Sequence, residues 1–267
     1  MGTAMIQGEL WGHAPENWAM IQEPLHRPLW EAMLDAALIR PGNRILDAGC
    51  GGGGASVLAA ERGAQVSGLD AAAGMIRIAR DRVPDGDFRV GDIEDLPYED
   101  NVFDAVFAAN SIQYAGDRVR TLREFGRVCQ AGGRIVAGLF GPPEKVAFRA
   151  FFAAVREALP EAPDGHGPFE LSMPGKLESL FASAGLKVLK SGEVDCPFHY
   201  PDFETLWRAQ NSAGPFQSAL RTAGKQKLQL AIQEAIEPYR LGDGAIHIQP
   251  NVFKYVVADP GMGGVSR

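Results

Sequence analysis

The chain has 267 residues, of which 46% are hydrophobic, and this is enough for one well-packed domain with additional cap elements. Its formal net charge is −7, and no run of Lys or Arg alternates with aromatic residues. A nucleic-acid partner is therefore disfavoured.

Membrane and export signals are absent from the sequence. No apolar run approaches the ~18 residues of a spanning helix, and the N-terminus lacks a basic flank followed by an apolar core. The three cysteines, Cys50, Cys129 and Cys196, are scattered and fit neither a metal site nor a disulfide framework. We expect a metal-independent cytoplasmic protein whose partner is a small-molecule substrate. A homodimer is compatible with this expectation.

The part of the chain before residue 42 has helical character. Between residues 17 and 37, apolar side chains recur every three or four positions, interrupted by two prolines. This pattern predicts two short helices ahead of the first strand. Trp11 and Trp18 could close over a bound ligand, and a helix that merely packs on a sheet explains them equally well.

A glycine-rich turn follows. Residues 45–54 are Ile-Leu-Asp-Ala-Gly-Cys-Gly-Gly-Gly-Gly, and a helix-forming stretch comes next. Strand, glycine turn and helix in this order form the nucleotide-binding opening of an α/β sheet, where a ligand approaches the backbone closely. Asp70 lies about 20 residues after Gly49, where an acid that binds ribose is expected. These features fit NAD equally well.

Asp47, two residues before Gly49, distinguishes between a dinucleotide and S-adenosylmethionine as the ligand. The pyrophosphate of a dinucleotide would lie over this turn, and at ~4 Å and an effective dielectric near 20 two like charges cost about 4 kcal/mol. S-adenosylmethionine has no phosphate and carries an ammonium and a sulfonium, so an acid at the turn is favourable. A purely structural turn capped by an acid is the alternative interpretation.

Strands and helices then alternate up to residue 140. Strands are predicted at 65–69, 88–90, 103–109 and 134–140, and helices at 55–62, 72–82 and 117–129. Asp70 and Asp92 follow the second and third strands, and open parallel sheets bind ligands at the carboxyl ends of their strands. We expect Asp70 to accept both ribose hydroxyls, and Asp92 with Ile93 to contact adenine.

The Asp-x-Gly-x-Gly run at residues 47–51 resembles the first motif of the class I S-adenosylmethionine-dependent methyltransferases. Residues 42–140 are similar to this family in four motif positions, in the same order. The chain looks most like the small-molecule branch that includes quinone-biosynthesis enzymes (methyltransferase type 11). The resemblance implies S-adenosyl-L-methionine as cofactor and a Rossmann-like three-layer α/β sandwich. Its seven-stranded sheet would be mostly parallel, with the last strand antiparallel.

The resemblance also implies further contacts. Asn110 would contact the methionine ammonium, Met75 would pack on adenine, and Trp18 would cover the cofactor; a core methionine explains Met75 about equally well. The expected cofactor-binding residues are therefore Asp47, Gly49, Cys50, Gly51, Asp70, Ala71, Met75, Asp92, Ile93, Asn110 and Trp18. Gln113 and Tyr114 would face the acceptor, and His199 is a further substrate-binding candidate.

The rest of the chain supplies the end of the sheet and a cap. Strands are expected at 186–194 and 252–258, and helices at 146–159, 176–185 and within 203–239. We accordingly divide the chain into an N-terminal helical segment or lid (1–41), a cofactor-binding core (42–140) and a final part (141–267). The final part carries cap insertions at about 141–173 and 200–245. Substrate identity is expected to depend on these insertions, and the sequence does not reveal it.

Methyl transfer to an oxygen or carbon acceptor can require a base. The candidates are His166, His199 and Tyr114, with His247 less favoured, because a histidine titrates near neutrality. A single histidine in a cap is more often a surface or packing residue. The sequence offers no argument for His13 or His26 beyond their residue type.

The pattern as a whole favours a methyltransferase that moves a methyl group to an O, N or C atom of a small, partly apolar metabolite by in-line displacement. Three alternatives stay open. The protein could bind the cofactor and catalyse a non-methylating step such as cyclisation, or be a non-catalytic binding protein or inactive subunit. It could also be an NAD-dependent oxidoreductase, which Asp47 disfavours.

Overall fold

The computed structural model describes residues 2–161 and 167–261. Its centre is a seven-stranded sheet with the order β3-β2-β1-β4-β5-β9-β6, and two further strands, β7 and β8, pair separately. The strands are β1 (Arg44–Ala48), β2 (Gln65–Asp70), β3 (Asp87–Val90), β4 (Phe103–Ala109), β5 (Cys129–Phe140), β6 (Lys187–Asp195), β7 (Phe198–Tyr200), β8 (Ile246–Ile248) and β9 (Val252–Asp259).

The direction of the strands confirms the predicted sheet. β1 to β5 are mutually parallel, whereas β9 is antiparallel to both of its neighbours, β5 and β6. Asp47 of β1 lies opposite Gly68 of β2 and Phe107 of β4. The acid before the glycine turn is therefore held in the middle of the sheet.

Helices cover both faces of the sheet. They are α1 (Ala4–Trp11), α2 (Pro15–Asn17), α3 (Arg27–Ala36), α4 (Gly54–Glu61), α5 (Ala73–Arg82), α6 (Arg118–Val128), α7 (Arg149–Ala158), α8 (Lys176–Ser183), α9 (Phe203–Asn211), α10 (Gly214–Ala223) and α11 (Lys225–Ile236). Leu29 and Met33 of α3 belong to one core cluster, and Leu122 and Phe125 of α6 belong to the other. The class predicted from the sequence, an α/β sandwich of three layers, is confirmed.

No helix in the described ranges is long and apolar enough to cross a bilayer.

The segment before β1 differs from the two short helices that the sequence predicted. From Pro15 to Ala36 the chain is helical throughout, because a π-helical turn (Trp18–Gln22) and a 3₁₀ turn (Glu23–His26) join α2 to α3. Each proline lies in the first turn of its own helical segment. A missing N–H costs nothing there, so the prolines do not break the helical path.

Three further elements lie outside the predicted ones. Helix α1 precedes residues 17–37, whose spacing predicted helices, and β7 pairs with β8 in an antiparallel two-stranded sheet. The β5 strand also begins five residues earlier than predicted, at Cys129, which pairs with Phe103 before the register shifts. The insertion between the last two strands of the main sheet is helical as expected, and consists of α9, α10 and α11 with a final 3₁₀ turn (Glu237–Tyr239).

Candidate cofactor-binding site

A cavity opens where β1, β2, β3 and β4 end. β1 and β4 are neighbours in the sheet although two strands separate them along the chain, and the strand order runs in opposite directions on either side of this pair. This reversal is the topological switch point at which open parallel sheets bind ligands. Gly91 after β3 and Ala109 at the end of β4 both line the cavity.

The eleven residues expected to hold the cofactor all line this one cavity. They are Trp18, Asp47, Gly49, Cys50, Gly51, Asp70, Ala71, Met75, Asp92, Ile93 and Asn110. Residues from the N-terminal segment and from four strand ends thus converge on one space. Their convergence supports a common ligand, and their individual contacts stay predictions.

The glycine turn is shaped by its own neighbours. Gly49 has φ +80° and Gly51 has φ +53°, both in the left-handed region that favours glycine. A Cβ on Gly49 would lie 2.3 Å from the Cβ of Ser111, and one on Gly51 would lie 2.7 Å from Oε1 of Glu23. The protein itself therefore requires glycine at both positions, in addition to any ligand.

Asp70, the last residue of β2, ties two backbone segments together. Its Oδ2 accepts the Gly51 N–H at 2.9 Å, and its Oδ1 accepts the Ala72 N–H at 2.8 Å. Burial raises the pKa of this carboxyl, while the backbone N–H donors oppose the shift. Each oxygen has a second lone pair, so the carboxylate can still accept from a ligand hydroxyl.

Asp47 is 2% exposed and faces the same cavity. Its Oδ2 accepts the Ser56 hydroxyl at 2.7 Å. Burial raises its pKa to about 6, the Ser56 hydrogen bond opposes the shift, and the charge of Asp70 adds to it. A ligand cation at this point would stabilise the ionised form of Asp47.

Asn110 follows β4 with φ +53°, and its N–H donates to the Gly138 carbonyl at 2.7 Å. Its side-chain Oδ1 is buried and has no hydrogen-bond partner in the described part of the chain. An unpaired buried acceptor is costly unless a ligand or water completes it. An unpaired acceptor on a residue that lines the cavity together with Asp47 and Asp70 suits a ligand that donates hydrogen bonds.

Glu23 was not predicted, yet it lines the cavity and is 4% exposed. Its Oε1 accepts the Gly52 N–H at 2.5 Å, and its Oε2 accepts Nη1 of Arg82 at 2.6 Å. Arg82 also donates to the carbonyls of Gly52 (2.9 Å) and Ala19 (2.7 Å). Burial raises the pKa of Glu23 to about 7, and the charge of Arg82 opposes the shift. This pair fixes the glycine turn to the helical N-terminal segment.

A row of aromatic side chains forms one wall of the cavity: Tyr114, Trp11, Trp18, His26 and Trp30. Successive ring centroids are 5.5 Å, 4.7 Å, 6.0 Å and 6.2 Å apart. His26 is buried, and burial lowers its pKa to about 4, so its ring is neutral at pH 7. We call these five residues the aromatic wall.

Comparison with known proteins bears directly on this site. Residues 46–137 match the family described as a methyltransferase domain. A malonyl-[acyl-carrier protein] O-methyltransferase of Dechloromonas aromatica (strain RCB) is 33% identical over 208 residues, which cover 76% of this chain and 72% of that protein. The chain belongs to the class I S-adenosylmethionine-dependent methyltransferases. The resemblance seen in the sequence is thereby confirmed.

Other similarities of this chain to known proteins are partial. A demethylmenaquinone methyltransferase of Renibacterium salmoninarum is 36% identical over 129 residues, covering 48% of this chain and 54% of that protein. The chain spans about half the length of several relatives that it matches. The crystal structure of the [4+2]-cyclase SpnF superposes with a TM-score of 0.56 at 20% identity, covering 86% of this chain and 80% of that one. This last likeness concerns the fold alone.

The residues expected to act on the acceptor lie in three different places. Tyr114 is in the aromatic wall, and burial raises its pKa to about 12. Gln113 is half-buried beside it, and its carbonyl accepts Nη2 of Arg118 at 3.2 Å. His199 is exposed on β7, where its ring faces His247 of β8 with centroids 5.8 Å apart. His199 does not line the cavity, so the structure gives it no support as base or substrate contact. His166 lies outside the described residues.

Sequence reasoning missed part of the cavity. Thr3, Ala4 and Gln7 of the α1 region line it, as do Glu23 and His26. The sequence indicates only weakly that the N-terminal segment contributes to the cavity, through Trp11 and Trp18 as candidates to close over a ligand. Glu23 and His26 follow no recognisable motif, and only the continuous helical path from Pro15 to Ala36 brings them to the glycine turn.

Proposed function

We propose that this protein transfers the methyl group of S-adenosylmethionine to an O, N or C atom of a small, partly apolar metabolite. The observation that carries the proposal is the set of polar groups in the cavity. Asp47, Asp70 and Asn110 line one space at the switch point, and the buried Oδ1 of Asn110 has no hydrogen-bond partner in the described part of the chain. These groups suit a ligand with a ribose and positive charge, and they oppose a pyrophosphate.

The same residues fit the methyl donor part by part. Asp47 and Asn110 would hold the methionine ammonium over the glycine turn at Gly49 and Gly51. Asp70 would accept the ribose hydroxyls. Ala71, Met75, Asp92 and Ile93 would enclose adenine, and Asp92 already accepts the Glu94 N–H through Oδ1 at 2.9 Å. Trp18 and the rest of the aromatic wall would cover the sulfonium side.

S-adenosylmethionine supplies an activated methyl group on sulfur, so the protein chiefly needs to align the acceptor in line with the breaking bond. The aromatic wall would exclude water and orient the acceptor. Tyr114 is the one predicted catalytic residue that the fold brings to the described cavity. A phenol with a pKa near 12 is protonated at pH 7, so we assign Tyr114 the role of hydrogen-bond donor rather than base.

Calorimetry tests the cofactor assignment. Titration with S-adenosylmethionine, S-adenosylhomocysteine and NADH should give binding for the first two and none for the third. Binding of NADH alone would overturn the proposal, because a pyrophosphate would then lie against Asp47.

A turnover assay separates methyl transfer from a cofactor-binding protein with another activity. The protein is incubated with S-adenosylmethionine labelled on its methyl group and a panel of small acceptors, and both labelled product and S-adenosylhomocysteine are measured. Cofactor binding without S-adenosylhomocysteine formation on any acceptor would favour a non-methylating or non-catalytic role.

A further inference from the structure

The aromatic wall and the charges around it bear on the acceptor, and the inference from them rests on the proposed function. Tyr114, Trp11, Trp18, His26 and Trp30 line the cavity in one continuous row. Large rigid rings offer extensive apolar contact and stack well against planar ligands. A ring-bearing acceptor would therefore gain most from this wall.

The charged side chains of the cavity all have one sign. Asp47, Asp70 and Asp92 are among its lining residues, the charge of Glu23 is offset by Arg82, and none of the described lining residues is Lys or Arg. One positive charge on the bound donor would offset only part of this acidity. An anionic acceptor would therefore meet net repulsion.

The arginines that contact this region already have partners. Arg82 lies behind Glu23 and donates to it at 2.6 Å, as well as to two backbone carbonyls. Arg118, which reaches the Gln113 carbonyl next to Tyr114, forms an ion pair with Glu170 at 2.8 Å. Redirecting Arg82 toward a substrate would leave the buried carboxylate of Glu23 without its cation.

We infer that the acceptor is an uncharged molecule with an aromatic or other planar ring, and that the site rejects acceptors with a carboxylate or phosphate near the reacting atom. The ring would lie along the aromatic wall, with its reacting atom toward the sulfonium. An uncharged ring needs no cation for recognition, and none of the described lining residues is Lys or Arg.

A matched pair of ring probes tests this inference. The protein is saturated with S-adenosylhomocysteine and titrated by calorimetry at pH 7 with 2-naphthol, which is uncharged, and with 2-naphthoate, which has the same ring and a carboxylate. We expect 2-naphthol to bind at least about tenfold more tightly. Equal or tighter binding of 2-naphthoate, or no binding of either probe, would overturn the inference.

A positive charge added to the cavity lining provides the second arm of the test. Gln7 lines the cavity and its Oε1 accepts Nε1 of Trp11 at 3.2 Å. Gln7→Lys should tighten 2-naphthoate binding several-fold relative to 2-naphthol, whereas Gln7→Met, which removes the same hydrogen bond without adding charge, should leave the preference unchanged. The same change of preference in both variants would contradict a charge effect.

The two proposals fail in different ways. If S-adenosylhomocysteine does not bind, the proposed function is wrong, and the probe pair titrated on the cofactor-free protein still tests the charge preference. If S-adenosylhomocysteine binds and 2-naphthoate is preferred, only the inference about the acceptor is wrong.

Discussion

At the residue scale, the acids of the cavity show what a sequence can and cannot reveal. Asp70 and Asp92 were predictable because each ends or follows a strand that its apolar run identifies, and parallel strands end at one edge of a sheet. Asp47 was predictable from its place two residues before Gly49 in the glycine turn. Glu23 has the same charge and lies in the same cavity. It was not predictable, because a π-helical turn and a 3₁₀ turn, which no spacing rule indicates, carry it to the glycine turn.

Asp70 is the residue whose loss should weaken cofactor binding most directly. Asp70→Ala removes a charged acceptor for the ribose, and hydrogen bonds to charged groups contribute roughly 1.5–3 kcal/mol, so the dissociation constant for S-adenosylmethionine should rise about 10- to 100-fold. Calorimetry measures this dissociation constant.

Asp70→Ala also leaves the N–H groups of Gly51 and Ala72 without their acceptor. Asp70→Asn, which keeps one acceptor oxygen, should therefore have an intermediate effect. Asp85→Ala, an exposed acid ahead of β3, is the control and should change nothing.

Asp47 should make stability depend on pH with a definite sign. Its pKa is raised to about 6 by burial, so the folded protein without ligand holds this proton more tightly than the unfolded chain. The resulting stability is fully present below the ordinary aspartate pKa near 4 and is lost as the pH rises through about 6. The free energy of unfolding of Asp47→Asn, relative to the unchanged protein, should therefore increase by about 2 kcal/mol across that window. Urea unfolding at several pH values checks this, and a difference independent of pH would show that Asp47 does not titrate there.

The ionisation of Asp47 should affect cofactor affinity in the direction opposite to its effect on folding stability. An ammonium beside Asp47 favours the ionised carboxylate, so affinity for S-adenosylmethionine should increase as the pH rises from about 5 to 7 and should be accompanied by proton release. Calorimetry in buffers with different ionisation enthalpies measures that release. Asp47→Asn should abolish most of it, whereas proton uptake on binding would contradict the assigned contact.

At the scale of elements, α1 is the piece that completes the cavity without belonging to the core. None of its residues is buried. Thr3 donates its hydroxyl to the Tyr114 carbonyl at 2.7 Å, and Glu9 pairs with Arg221 at 3.0 Å on the surface. An element with so little buried area contributes little to global stability and can open locally.

The two faces of α1 provide a matched pair of variants. Trp11→Ala removes the ring that contacts Trp18 and Tyr114, and should weaken binding of S-adenosylmethionine by about tenfold with little change in melting temperature. Met5→Ala changes a side chain that is 87% exposed on the same helix and should leave binding unchanged. Hydrogen exchange should also show the α1 amides becoming protected when S-adenosylhomocysteine binds. Equal affinities for the two variants would mean that α1 does not cover the cofactor.

The elements also show the limits of pattern reading. Apart from β5, which begins five residues early, the strands of the main sheet and helices α4 to α6 were predicted nearly to their bounds, because alternating buried strands and amphipathic helices have strong periodicity. Helix α1, with no buried residue and an apolar outer side, lacks the pattern that normally indicates a helix packed on a core. β7 and β8 have three residues each, and their pairing depends on contacts across the helical insertion.

At the scale of the whole molecule, the N-terminal segment and the last third of the chain are joined by a buried polar network. The Tyr200 hydroxyl donates to Oε1 of Gln22 at 2.7 Å, and Nε2 of Gln210 donates to the same oxygen at 2.9 Å. All three side chains are buried, and 178 and 188 residues separate Gln22 from its two partners. Gln22 lies in the π-helical turn directly before Glu23. The network thus connects the cap region to the residue that fixes the glycine turn.

Variants of this network should rank in a particular order. Tyr200→Phe removes one donor and leaves Gln22 bonded to Gln210, so it should lower the free energy of unfolding by about 1 kcal/mol. Gln22→Leu removes the shared acceptor and leaves the Tyr200 hydroxyl and the Gln210 amide buried without it, so about 2–3 kcal/mol should be lost. Urea unfolding measures both, and the double variant should lose less than the sum of the two, because the substitutions remove one interaction in common. A larger loss for Tyr200→Phe than for Gln22→Leu would show that the tyrosine acts through its packing. With Gln22 shared as described, Gln22→Leu should also loosen the Glu23 contact and weaken cofactor binding more than Tyr200→Phe does.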